Sequence, residues 1–151
     1  MPESARTLFH LRVGDVIVDG ARDWLVEGVL VIEGGQRPMR LVRLWDRATD
    51  RWLATDGVEL ILLPGSTTDR PGLPPPDPLV LGTERLLLAG RGGGVVVRSG
   101  DCGMRSAERC RYWLYKGAGP LCAWIDDFPG TGLLYGEVVP PNHSIELLPG
   151  S

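Results

Sequence analysis

The chain has 151 residues, 43% of them hydrophobic, and a net charge of −3. This is enough apolar material for one domain of ordinary size or two small ones, and it excludes the disordered class. The charges are interspersed, 8 basic against 10 acidic through Ser66 and 8 against 9 after it, so neither half carries the basic excess that a nucleic-acid partner demands.

Twenty-one glycines and 13 prolines punctuate short apolar runs, a pattern of turns between strands. Val16 to Val18 reads as a strand ending at Asp19-Gly20. Asp23 to Glu33 is β-branched and apolar, with a bulge or bend expected at Gly28. Gly34-Gly35 turns the chain into Met39 to Trp45, and Arg47 to Asp50 turns it into Trp52-Leu53-Ala54. Asp56-Gly57 is a tight-turn pair before Val58 to Leu63. Five such strands suit an antiparallel meander closing into a small, SH3-like barrel. Residues 67–78 hold Pro71, Pro74, Pro75, Pro76 and Pro78 and read as a semi-extended linker. Strands then follow near Arg85 to Ala89, Val95 to Arg98, Arg109 to Tyr115, Leu121 to Ile125, Leu133 to Val139 and Ser144 to Leu148. Gly90 to Gly94 between the first two reads as a flexible hairpin loop, and Ser106 to Cys110 as the one hint of a helical turn.

The two halves echo each other. Val58 to Ser66 (VELILLPGS) is matched by Ser144 to Ser151 (SIELLPGS), and Leu11 to Asp15 by Leu79 to Thr83. Trp45 and Trp52 have counterparts in Tyr115 and Trp124. The expected architecture is therefore all-β with little helix, made of two tandem related small antiparallel β-barrel-like units. Residues 1–66 form the first, and 79–151 the second with an acidic, Gly/Pro-rich insertion. Trp52 and Trp124 are expected to be mostly buried at matching positions.

Met1 to Arg6 lacks the basic start and apolar run of a secretory signal, and no apolar stretch approaches the length of a membrane helix. Three cysteines without CxxC spacing (Cys102, Cys110, Cys122) suit reduced, buried thiols in a cytoplasmic protein and suggest no metal site. The glycines from Gly90 to Gly94 match neither phosphate-binding pattern, and no cofactor is expected. Asp126, Asp127, Glu137 and His143 are the one titratable cluster that would suit hydrolysis, with carboxylates as general acid and base. Against that reading, neighbours in extended chain face opposite ways, and Asp127-Phe128-Pro129-Gly130 reads as a turn. Asp127, Phe128, Tyr135 and Glu137 are instead expected to form a binding surface, with Phe128 and Tyr135 as exposed apolar anchors for a protein partner with a basic rim. No catalytic residue is assigned.

The residues Leu11-x-x-Gly14-Asp15, Trp24-Leu25-Val26-x-Gly28 and Leu44-Trp45-Asp46 resemble the start of a bacterial domain of unknown function, number 4178. Tyr112-x-x-Tyr115, Trp124-Ile125-x-Asp127-x-Pro129-Gly130, Tyr135-Gly136 and Val138-Val139-Pro140-Pro141 are similar to its second half. The resemblance implies a β-rich cytosolic bacterial protein of accessory role, encoded near polyamine-synthesis or membrane-stress proteins. It carries over no catalytic residue.

Overall fold

A computed structural model describes residues 8–20, 22–35, 37–140, 142–143 and 145–150. Eleven strands account for the regular structure, and helical geometry is confined to Leu8 among these residues. The strands are β1 (Val16–Asp19), β2 (Arg22–Glu33), β3 (Met39–Trp45), β4 (Asp50–Thr55), β5 (Leu60–Ser66), β6 (Leu79–Leu81), β7 (Glu84–Gly100), β8 (Arg109–Lys116), β9 (Leu121–Asp126), β10 (Leu134–Val138) and β11 (Glu146–Leu148). All pair antiparallel, in the order β11-β1-β2-β3-β4-β5-β10-β9-β8-β7-β6. An additional pairing of β2 with β7 closes eight of them, β2–β5 and β7–β10, into a barrel.

The two halves share a connection order. In each, a short strand (β1 or β6) hairpins into a long bent one (β2 or β7), and three meander strands follow. The hairpins turn on Gly20 and Gly82, at φ 62° and 63°, a left-handed conformation that glycine adopts without strain. Neither half closes by itself. The seams run between halves, β5 against β10 and β2 against β7, so one barrel stands where two tandem units were expected. Nor do the similar endings occupy equivalent places. Leu60–Ser66 is a barrel strand, whereas Glu146–Leu148 lies outside the barrel against β1. Ser144 and Ser151 of the second ending, like Met1 to Arg6 and Pro141, lie outside the described residues.

Strand alternation sorts the apolar side chains into an interior and two outer layers. Leu30, Leu41, Trp52, Leu114, Trp124 and Leu134 belong to the interior. Outside the first half, Ile17 of β1 joins Leu8 and Leu11 over Trp24, Val42 and Leu53. Outside the second half, Leu79 of β6 packs with Trp113, Tyr115 and Ile125. The proline-rich segment covers this last layer. Leu73 packs on it, and the Pro76 carbonyl accepts the Tyr115 hydroxyl at 2.8 Å. The segment is thus docked along the barrel.

Two local expectations change. Arg85 to Ala89 and Val95 to Arg98 are parts of one 17-residue strand, and Gly90 to Gly94 lie inside it, paired with β8. At Gly93 and Gly94 glycine is needed by closeness. A Cβ on Gly94 would collide with the Glu33 carbonyl, and one on Gly93 would press on the Cys110 carbonyl. Ser106 to Cys110 has no helical turn; its last two residues begin β8. The bulge at Gly28 is present as a register shift between Val26 and Gly28.

Candidate functional site

Asp126 ends β9 and is completely buried. A buried carboxylate must be paired and hydrogen-bonded. Its Oδ2 accepts Arg105 Nε at 2.7 Å and Trp124 Nε1 at 2.9 Å, and its Oδ1 accepts the Thr131 hydroxyl at 2.6 Å. Arg105 comes from the segment between β7 and β8, and its guanidinium carbon sits 4.6 Å from the centre of the Trp52 ring, a cation–π contact. Trp52 of β4 and Trp124 of β9, 7% and 0% exposed, are thereby linked through one ion pair at the barrel end. Arg105 Nη2 is buried without a partner among the described residues. Beside this network opens a cleft of about 490 Å³, whose walls include Trp52, Leu63, Met104, Thr131 and Leu134. Arg43 also borders it and is clamped by Asp50 at 2.7 Å and Asp101 at 2.9 Å.

The residues expected to form a site are dispersed. Asp127 faces away from Asp126 and reaches β8, where its Oδ1 accepts the Arg111 backbone N–H at 2.7 Å and its Oδ2 accepts Arg111 Nε at 3.0 Å. The turn begins one residue later than expected. Thr131 N–H donates to the Phe128 carbonyl around Pro129 and Gly130, and Gly130 has φ 77°, the positive φ of a type II turn. Phe128 is 0% exposed, in the barrel core, and so is no surface anchor. The turn folds beneath the barrel end, held by Arg70, which donates to the Asp126 and Phe128 carbonyls. Tyr135 is 37% exposed, its ring over Gly65 across the β5–β10 seam, and Glu137 is exposed two residues further along β10. His143 contacts Asp19 of β1 at 2.7 Å, remote in the fold from Asp126. The acid–base cluster that hydrolysis would require is not assembled.

All three cysteines are free and buried. Burial pushes the Cys110 thiol up to about 12 and the Cys122 thiol up to about 11, so both stay protonated at neutral pH and are poor nucleophiles. Burial raises Cys102 as well, against the opposing pull of Arg98, Arg43 and Arg105.

The domain is thus a closed barrel with a docked proline strap and an Arg–Asp bridge between two tryptophans. Residues 12–141 match the model of the Domain of unknown function (DUF4178). The chain belongs to this family. The DUF4178 match runs from ahead of β1 to just beyond β10, so it takes in the whole barrel. No match was found among curated proteins or solved structures. Among the described residues of this DUF4178 chain, no helix is long and apolar enough to cross a membrane. Arg105 carries no local sequence signal, because its partners Trp52 and Asp126 lie 53 and 21 positions away.

Proposed function

We propose that this DUF4178 domain is a non-catalytic protein-recognition module with an accessory role in a bacterial cytosolic system. One observation carries the reading: the groups suited to catalysis are each committed to structural partners in different places. Asp126 is spent on Arg105, Trp124 and Thr131, Asp127 on Arg111, and His143 on Asp19. A general base must instead reach a substrate proton. The surface has the character of a recognition face, with Tyr135 and Met104 exposed, at 37% and 63%, and exposed Glu137 on the same strand as Tyr135. Asp127, Tyr135 and Glu137 remain its candidate contacts, without Phe128. The shared connection order and the matching Gly20 and Gly82 hairpins support descent of the two halves from one duplicated unit.

The test is affinity capture from the native host with the intact protein and with a variant replaced at Asp127, Tyr135 and Glu137. The reading expects a partner recovered by the first and depleted with the second, with no more loss of melting temperature than the Asp127–Arg111 bonds account for. Hydrolytic turnover that disappears in Asp127→Asn would replace this reading with the enzyme alternative.

A further inference from the structure

We propose that the open edge of β7 at Val96–Gly100 is a docking site where an extended, alternately apolar and acidic segment of a partner adds to the sheet as a strand. The proposal rests on the recognition-module reading and gives that module its surface and its ligand chemistry.

Main-chain geometry carries the inference. Along a strand, the N–H and C=O of successive residues point to opposite edges. Val97 and Ser99 pair with Val31 and Val29 of β2, and Asp101 N–H continues that edge by donating to the Glu27 carbonyl at 2.9 Å. Val96, Arg98 and Gly100 therefore direct their main-chain groups to the other edge. There Val96 N–H donates to the Glu108 carbonyl at 2.8 Å, and the pairing with β8 ends at Val95. The Val96 carbonyl, the Arg98 N–H and carbonyl and the Gly100 N–H have no main-chain partner among the described residues. Donors and acceptors at two-residue spacing are the complement of an extended chain, the mode used when a peptide augments a sheet edge.

The edge has room beside it. A cleft of about 710 Å³ lies between Val95–Gly100 and the segment carrying Asp101, Arg105, Ser106 and Glu108. That segment walls the groove on its far side, which suits one inserted strand better than the flat edge of a second barrel. Chemistry on the two faces sets the sequence pattern. Val95 and Val97 share the outer face and are 44% and 50% exposed, so the neighbouring side chains of the docked strand are apolar. Arg98, on the opposite face, is exposed and forms no ion pair among the described residues. Asp101 is already held by Arg43, and Glu108 is the remaining acid of the wall. An acidic side chain beside Arg98 would complete the arrangement.

A short blocked peptide of alternating valine and glutamate is the probe. On its addition to the whole chain, amide hydrogen exchange at Arg98 and Gly100 should slow at least about tenfold, the protection a main-chain hydrogen bond gives against local opening. Arg98→Pro removes the outward N–H without touching a β2–β7 bond, and should weaken binding about tenfold. Should that variant fail to fold, the same peptide N-methylated at its edge-facing amides serves with the wild-type chain and should not bind. Equal binding of the N-methylated peptide, or no binding of either, overturns the proposal. Protection that grows with protein concentration alone assigns the edge to a second copy and also overturns it. Protection around Tyr135 and Glu137 in place of β7 overturns the edge assignment but leaves the recognition-module reading standing. Turnover lost in Asp127→Asn removes both.

Discussion

β2 and β7 occupy the same place in the two halves, yet they end differently. Each is long, bends, hairpins with a short outer strand, and closes the barrel against the other. The closing stretch of β2, Gly28 to Glu33, has β7 on one side and β3 along nearly all of the other. Most of the closing stretch of β7, Val96 to Gly100, has only β2 as a neighbouring strand, because the pairing with β8 stops at Val95. Both strands carry a bulge, at Gly28 in β2 and at Gly90 in β7, but β7 adds a run of glycines where Glu33 and Gly34 come close. Equivalent topology therefore does not bring equivalent pairing. The departure of β7 frees an edge and sends residues 101–108 across the barrel end, which delivers Arg105 to Trp52 and Asp126.

The largest test of this comparison sets the two tryptophans against each other. Trp124→Ala should cost about 3–5 kcal/mol, through lost burial, the cavity left behind and a lost hydrogen bond to Asp126. Trp52→Ala should fall toward the lower part of that range, since Trp52 is slightly exposed and meets the ion pair only through its ring face. Denaturant midpoints decide it. Equal losses would show that the Arg105–Asp126 bridge leans on both tryptophans alike.

Next comes the bend. Gly94→Ala should cost about 2–3 kcal/mol, because the new methyl meets the Glu33 carbonyl and cannot be absorbed by a flexible side chain. At Gly90, four residues earlier, a Cβ would have open space around it, so Gly90→Ala should change stability by no more than about 0.5–1 kcal/mol. Similar losses at the two positions would mean that glycine serves flexibility in β7 and not close approach.

Those glycines show where the sequence was legible and where it was not. β-branched runs between glycine and proline give away nearly every strand, because alternation and turn chemistry are local. The Gly28 bulge and the Asp56-Gly57 turn, where Asp56 accepts the Val58 and Glu59 amides at 2.9 Å, are readable for the same reason. The reason for Gly94 lies some 60 positions upstream, at Glu33, and that for Gly93 across the ladder at Cys110, so the run looks like a loop. Barrel closure depends on the same kind of distant pairing, and two half-length barrels were the natural local reading. At the candidate site, Tyr135 and Asp127 are where alternation would put them. Phe128 looks exposed beside an aspartate and a Pro-Gly turn, but Arg70 ties that turn under the barrel.

A smaller effect should appear at high pH on β8, where Cys110 faces Gly94 of β7. In the unfolded chain this thiol ionises near its ordinary 9, and burial in the fold raises it to about 12. Its contribution to stability is whole below about pH 9 and is lost as pH rises toward 12, because only the unfolded state releases the proton in that window. Thermal midpoints should therefore fall from pH 9 upward, with a shallower decline in Cys110→Ala. An identical slope would assign the decline to the other groups with raised values, Cys102, Cys122, Tyr112 and Tyr115.

The finest test changes no residue. If β7 is paired on one side only, native-state hydrogen exchange should alternate along its end. Val97 and Ser99 donate toward β2 and should exchange slowly, while Arg98 and Gly100, whose N–H groups have no main-chain acceptor among the described residues, should exchange quickly. Within β2 no such alternation should occur. Val29 and Val31 donate to β7 and Leu30 and Ile32 to β3, so all four amides are enclosed in ladders. The contrast is internal to one sample, which removes differences in overall stability from the comparison. Uniform protection from Val96 to Gly100 would mean that residues 101–108 already occupy the edge in solution, and β7 would then be as fully paired as β2.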